Sequence, residues 1–166
     1  LPIVYNTGSY ESPEALRHLE GLVDIYLPDL KYFSPELSTA YSHAPDYFET
    51  ACAAISEMYR QVGDPVIDED TGLMQHGMIV RHLLLPGQTK DSKKILRYLH
   101  ETYGDHIYIS IMNQYTPLPQ VADIEVLNRT VTPEEYDRVL RFAERIGIER
   151  GFRQEGTAAS ESFIPE

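Results

Sequence analysis

The chain contains 166 residues, 26 of them acidic and 14 basic, which gives a formal net charge of −12. This length suits one domain with a sizeable core, and the charge disfavours nucleic acids and anionic membranes as partners because their phosphates would be repelled. No apolar run approaches the roughly 18 residues that cross a bilayer. Leu1 opens directly on an apolar stretch rather than on a leader peptide, so we expect a cytoplasmic protein.

The apolar pattern alternates between strands and helices along the chain. It predicts strands at residues 2–7, 23–30, 77–85 and 107–115, with a last short strand at 151–154. Ser12, Ser34 and Thr132 are each followed by proline and glutamate, which is typical of a helix start, and longer helices are expected at 45–62 and 89–103. Residues 63–72 indicate a surface turn or small hairpin, and residues 155–166 a loose tail.

This order of elements predicts an α/β protein with a parallel sheet and alternating helices, because parallel neighbours need crossover connections. Two architectures fit the order. One is an open, doubly wound sheet, and the other is a consecutive piece of a TIM-type barrel with about four to five strands. A complete barrel takes roughly 250 residues, so residues 1–166, as a single domain, would supply about half of one.

Polar residues stand at the carboxyl end of each long strand, where parallel sheets and barrels carry their ligand sites. They are Asn6, Thr7, Gly8 and Ser9 after the first strand, Asp29 and Lys31 after the second, Arg81 and His82 in the third, and Ser110, Asn113 and Gln114 in the fourth. Together they predict a polar pocket for a zwitterionic or polyhydroxylated ligand. For Asp29 and Lys31 the alternative is an ion pair at the protein surface.

The sequence allows two other roles for these residues. Lys31 is a weak candidate for an imine-forming nucleophile, because Asp29 two residues away on the same strand face would hold its ammonium charged. As binding groups for a carboxylate and for hydroxyls the pair is more plausible. Arg81 is expected either in the ligand site or in an ion pair with Asp29 or Glu11.

The sequence offers no metal or nucleotide motif. The six histidines include no pair at i and i+4, and His82 is expected to pack under a helix on the face opposite Arg81. The single cysteine, Cys52, excludes an internal disulfide and a multi-cysteine metal site within this chain. The NTGS turn after the first strand lacks the glycine fingerprint of a dinucleotide site. We therefore assign no catalytic residue and no metal ligand.

Four segments taken together resemble the radical S-adenosylmethionine enzymes, in the family related to the pyruvate formate-lyase activating enzyme. They are PIVYNTGSYE at 2–11, VDIYLPDLKY at 23–32, GMIVRHLLLPG at 77–87 and ISIMNQYTP at 109–117. The resemblance covers nearly the whole chain and is closest to an uncharacterised branch of that family. It implies that the chain is the carboxyl-terminal portion of such a barrel.

The resemblance also implies a binding rim for S-adenosylmethionine. Asn6 and Thr7 match the turn near its methionyl group, Asp29 and Lys31 match the pair that serves a cation site or ribose and the carboxylate, and Arg81 and Gln114 match positions facing the nucleoside. Two residues depart from the pattern. Asn6 replaces an acid, which puts the cation site in doubt, and Gln114 stands where activating enzymes have a histidine.

The largest departure is the family's C-x3-C-x2-C motif, whose thiolates hold a [4Fe–4S] cluster and which this chain lacks. The resemblance therefore implies a fragment that begins after the motif and is inactive alone. Its parent would cleave S-adenosylmethionine reductively to a 5′-deoxyadenosyl radical. Flavodoxin or ferredoxin would donate the electron, and a glycyl-radical enzyme or another protein would be the partner.

A different class of function fits the same residues. The chain could be a complete open-sheet α/β module that binds a small polar ligand or a protein without catalysis. A half barrel leaves sheet edges unpaired, so the fragment interpretation also predicts self-association through exposed strand edges.

Overall fold

A computed structural model describes residues 1–115, 117, 129–154 and 161–162. The strands are β1 (Val4–Thr7), β2 (Ile25–Pro28), β3 (Val66–Ile67), β4 (Met74–Leu83), β5 (Tyr108–Met112), β6 (Gly151–Gln154) and β7 (Glu161–Ser162). The helices are α1 (Pro13–Arg17), α2 (Pro35–Ser42), α3 (Tyr47–Val62), α4 (Thr89–Tyr103) and α5 (Pro133–Arg145), with a 3₁₀ turn at Gly104–His106.

Five strands form a parallel sheet in the order β1, β2, β4, β5, β6. Two short strands pair antiparallel to it, β7 along β6 and β3 along β4. Across the described ranges the sheet stays open, with β1 at one edge and β7 at the other. The prediction of an α/β fold with a parallel sheet of four to five strands is confirmed, and an open sheet of this kind is consistent with part of a barrel.

The core lies between the helices and one face of the sheet. Alternate strand residues point into it, because side chains change face at every position of a strand. These residues pack in one cluster with the buried faces of α3, α4 and α5; they include Tyr26, Leu30, Met78, Val80, Ile109 and Ile111. On the opposite face Leu27, Ile79 and Arg81 are partly exposed, so this face of the sheet is less covered than the face that packs on the helices.

Helix starts follow the local chemistry of the sequence. Ser12, Ser34 and Thr132 each accept a hydrogen bond from the backbone N–H three residues on, and a proline follows each of them. Each cap satisfies one of the N–H groups that a helix start leaves without an internal partner. These three helices therefore begin where the sequence predicts.

The strands are shorter or shifted relative to the predicted ranges. β4 begins three residues before position 77, at Met74, because the segment 74–76 pairs with β3 in the hairpin expected within 63–72. The segment 29–32 leaves β2 and turns towards α2. Of the predicted tail, Glu161–Ser162 pair with β6, and the remainder lies outside the described residues. None of the described helices is both long and apolar enough to cross a membrane.

Candidate functional site

Three neighbouring strands bring Asn6, Asp29 and Arg81 together at the carboxyl ends of the sheet. Asn6 pairs in register with Leu27 of β2, which lies on the same face as Asp29 two residues later. Asp29 forms a parallel bridge with Arg81 of β4, and Arg81 pairs in turn with Ser110 of β5. Because residues in register share a face in a parallel sheet, all of these side chains project from the face opposite the helical core.

The guanidinium of Arg81 joins the other two side chains. Its Nε donates to Asp29 Oδ1 at 2.8 Å, and its Nη2 donates to Asn6 Oδ1. The side chains of Arg81 and Asp29 are 26% and 25% exposed, so the pair is more shielded from solvent than an ordinary surface ion pair. A guanidinium thus occupies the place between positions 6 and 29 where the family resemblance implied a cation site.

Lys31 does not pair with Asp29. Within the described residues its ammonium has neither a hydrogen-bond partner nor an ion-pair partner, although the side chain is only partly exposed. The Lys31 Nζ lies beside Gly8, 3.6 Å from where a β-carbon would stand at that position. The sequence argument against a reactive Lys31 relied on Asp29, and Asp29 is committed to Arg81 instead. What remains is a cation with no partner in the described part of the chain.

Tyr47 of α3 holds the backbone around this cation. Its hydroxyl accepts a hydrogen bond from Lys31 N–H at 3.1 Å and lies 2.9 Å from Gly8 O and 3.0 Å from Asp29 O, between which its proton is shared. Burial raises the pKa of Tyr47, so the phenol stays protonated and able to donate. One buried side chain therefore fixes the ends of β1 and β2 relative to each other.

A cavity of about 310 Å³ opens next to these residues, within the usual size range of ligand pockets. Asp29 and Lys31 supply its charged groups, and Ser42 supplies a hydroxyl. The other lining residues are aromatic or aliphatic: Tyr32, Tyr41, Tyr115, Leu83, Leu85 and Met112. A ligand with one polar, charged end and one flat or apolar end suits this distribution.

Of the predicted site residues only Asp29 and Lys31 line the cavity; Asn6 and Arg81 adjoin it through Asp29, and Thr7 and Gln114 stand apart from this cluster. Thr7 lies on the opposite face of β1, where its hydroxyl donates to Glu11 and accepts from the backbone N–H of Ser9. The side chain of Gln114 is exposed and does not line the cavity. The structure therefore brings together Asn6, Asp29, Arg81 and Lys31, but neither Thr7 nor Gln114.

Sequence reasoning missed the tyrosines and the groups that hold the rim. Tyr32, Tyr41 and Tyr47 are in ring contact, with centroids 5.7 Å apart for Tyr32 and Tyr41 and 5.2 Å apart for Tyr32 and Tyr47. The carboxylate of Asp91 accepts from the N–H groups of Phe33 and Ser34, both at 2.9 Å. The tyrosines of the stretch 32–47 could have been noticed in the sequence as candidates for an aromatic wall. The role of Asp91 could not, because its partners Phe33 and Ser34 are 58 and 57 residues away.

His82 and Cys52 are buried to different degrees and lie outside the cavity. His82 is 2% exposed and packs beneath α4, as its strand face predicted. Cys52 is half-buried on α3, and burial raises the pKa of its thiol. In the part of the chain that the structure describes, no three histidine, cysteine, aspartate or glutamate side chains are grouped as metal ligands.

Comparison with known proteins identifies a longer relative. No protein-family model matches the sequence. The uncharacterized protein MJ0674 of Methanocaldococcus jannaschii is 26% identical to this chain over 150 residues. That match covers 90% of this chain but 40% of the relative, so the chain spans less than half of the relative's length.

Proposed function

We propose that this chain is the carboxyl-terminal part of a cytoplasmic radical S-adenosylmethionine enzyme related to the pyruvate formate-lyase activating enzyme, and that it supplies part of the binding pocket for S-adenosylmethionine. The observation that supports this proposal is that Asp29 and Lys31, whose ammonium has no partner among the described residues, both line an aromatic cavity at the carboxyl ends of parallel strands. The greater length of the archaeal relative is consistent with a larger parent protein.

The residues around the cavity fit the parts of S-adenosylmethionine. Its methionyl carboxylate needs a cationic donor, and Lys31 offers an ammonium that no described residue engages. Its ribose hydroxyls need acceptors, and Asp29 Oδ2 has no partner among the described residues, since Arg81 donates to Oδ1. Its adenine is flat and largely apolar, and the tyrosine and leucine side chains form such a wall.

Arg81 is a positioning residue in this proposal. By donating to Asp29 and Asn6 it fixes the two side chains at the ends of β1 and β2. Thr7 and Gln114 do not line the cavity and are given no role in it.

This chain does not hold the iron–sulfur cluster, because its single cysteine, Cys52, lies within α3. The proposal assigns the cluster to another part of the parent protein, where it would supply the electron that cleaves S-adenosylmethionine to a 5′-deoxyadenosyl radical. A flavodoxin or ferredoxin is the proposed donor of that electron. A glycyl-radical enzyme or another protein is the proposed partner.

The test uses the full-length parent, reconstituted anaerobically with iron and sulfide and then reduced. We expect S-adenosylmethionine to be converted to 5′-deoxyadenosine. Lys31→Met should weaken S-adenosylmethionine binding about tenfold, since a charge-assisted hydrogen bond contributes about 1.5–3 kcal/mol. Lys90→Met, on the exposed surface of α4, is the matched control and should bind normally.

Two outcomes would overturn the proposal. An intact cluster without formation of 5′-deoxyadenosine would exclude the enzymatic assignment. A parent without a cysteine motif, combined with normal binding of a small polar ligand by this chain alone, would favour the non-catalytic binding module.

A further inference from the structure

A second cavity, of about 200 Å³, adjoins the first one at Lys31 and Ser42, which line both. It lies between the turn after β1 and the junction of α2 and α3. Besides these two residues its walls include Gly8, Tyr10, His43 and Tyr47. The site proposed for S-adenosylmethionine lies in the first cavity and does not extend into this second one.

The charged end of Lys31 lies towards this second cavity. Gly8 lines the second cavity and not the first, and the Lys31 Nζ lies 3.6 Å from the β-carbon position of Gly8. An ammonium carries three N–H donors, so it can serve a group on each side of the boundary. The Lys31 ammonium can therefore donate a hydrogen bond to a ligand in the second cavity as well as to one in the first.

Among the described residues no carboxylate lines the second cavity, although the chain as a whole has a net charge of −12. Two acids close to its lining residues in sequence have partners of their own: Asp29 accepts from Arg81 through Oδ1, and Asp46 accepts from Tyr10 at 2.6 Å and from Thr50 at 3.4 Å. The remaining polar groups are the imidazole of His43 and the hydroxyl of Ser42. The lining is thus rich in hydrogen-bond donors and poor in negative charge.

The walls of the second cavity are held in place before any ligand binds. The Tyr47 hydroxyl fixes the backbone of Gly8 and Lys31, and the ring of Tyr10 stacks on Tyr47 with a centroid distance of 6.1 Å and an interplanar angle of 20°. His43 adopts a left-handed conformation with φ 54°, and its backbone N–H bonds back to α2. A preorganised site loses less conformational entropy on binding.

We propose that the second cavity is a binding site for a small organic anion, whose carboxylate or phosphate group contacts the Lys31 ammonium and the His43 imidazole while its body packs against Tyr47. The site stands independently of S-adenosylmethionine chemistry. If the proposed function also holds, this anionic group is part of the substrate. Its contacts in the second cavity then hold the substrate next to S-adenosylmethionine.

The test is an NMR titration of the chain, at constant ionic strength, with benzoate in one series and inorganic phosphate in the other. We expect saturable shifts of the His43 ring signals and the Lys31 Cε signal; the stronger-binding probe identifies the carboxylate or the phosphate as the preferred group. Lys31→Gln and His43→Gln should each weaken binding about tenfold. Gly8→Val should abolish binding by filling the cavity while both donors remain.

The matched control is Lys90→Gln, which removes an equally charged side chain from the exposed surface of α4. Backbone spectra of each variant report whether the fold is retained. Absence of saturable shifts with either probe would overturn the proposal, as would binding of equal strength in a folded Gly8→Val variant. Both outcomes are independent of whether the parent cleaves S-adenosylmethionine.

Discussion

At the scale of single residues, His82 has a defined protonation state. Its Nδ1 lies 2.8 Å from Leu30 O, a pure acceptor, so Nδ1 carries the proton. Its Nε2 then accepts from the Ser92 hydroxyl at 2.8 Å. Burial lowers the pKa of His82, because the charged imidazolium would lose its hydration. The neutral ring links the end of β2 to α4 and so supports the segment that carries Lys31.

This neutral histidine makes the stability of the fold depend on pH. The unfolded chain takes up a proton at His82 below a pH of about 6.5, whereas the folded chain resists it. The free energy of unfolding should therefore be highest above that pH and fall as the pH drops from about 6.5 towards the lower folded pKa. Urea unfolding between pH 5 and pH 8 measures this slope.

The matched variant is His82→Asn, whose amide N–H can donate to Leu30 O but cannot titrate. We expect it to lose about 1–2 kcal/mol at pH 8 through the missing bond to Ser92. The free energy of unfolding of this variant should depend less steeply on pH than that of the natural chain, since the other histidines are the same in the two proteins. Identical slopes would show that His82 is not the residue responsible.

The sequence left two partners open for Asp29. Lys31 is two residues away, and Arg81 was expected either in the ligand site or in an ion pair with Asp29 or Glu11. The actual partner of Asp29 is Arg81, 52 residues away, and register between β2 and β4 decides that contact. Thr7 bonds to Glu11 rather than to this cluster for a related reason: side chains alternate between faces, so of two neighbouring residues only Asn6 projects towards Arg81.

At the scale of elements, the start of α5 holds the turn that follows β4. Thr132 and Glu135 form a capping box, and the Glu135 carboxylate also accepts from Gly87 N–H at 2.6 Å and from Arg129. Arg129 and these backbone donors lower the pKa of Glu135 to about 2. A helix start is thereby tied to the loop between β4 and α4.

Glu135→Gln should destabilise the chain by about 2 kcal/mol at pH 7, because the charged hydrogen bonds to Arg129 and Gly87 weaken. The contribution of Glu135 is fully present above the unfolded pKa of 4.5 and is lost as the pH falls towards its folded value of about 2. The gap between the natural chain and the variant should therefore narrow from pH 7 to pH 3. Denaturant unfolding at both pH values measures it, and a constant gap would contradict the assignment.

Helix starts were easier to predict than strand ends, for a physical reason. A cap such as Ser34 or Thr132 acts on a backbone group three residues away, so the signal is contained in the sequence. A strand ends where its neighbour stops pairing, which depends on distant residues. β4 consequently begins at Met74 rather than at residue 77, because β3 pairs with its first residues.

At the scale of the whole molecule, the edge strand β1 begins with exposed apolar residues and is unpaired on its outer side within the described residues. Ile3 and Val4 are 56% and 50% exposed. Such edges pair readily with other chains, and natural proteins often place charges on them. The net charge of −12 opposes contact between copies over long range, but salt screens it.

We therefore expect this chain to self-associate at high concentration and more strongly at high salt, as measured by analytical ultracentrifugation. Val4→Lys should keep it monomeric, because a charge on the edge disfavours pairing with a second strand. Leu22→Lys is the control, since Leu22 is 61% exposed but lies outside the strands. Equal effects of both substitutions would indicate general hydrophobic association instead.

The Tyr47 hydroxyl connects α3 to the ends of β1 and β2. Because one hydroxyl contacts the backbone of Gly8, Asp29 and Lys31, a small shift of α3 moves the ends of β1 and β2 together. The two cavities meet at Lys31, so they cannot change shape independently while this contact lasts. Binding of a ligand in one cavity should therefore change the affinity of the other cavity for its ligand. Tyr47→Phe would remove this coupling, because it removes the hydroxyl and leaves the ring in place.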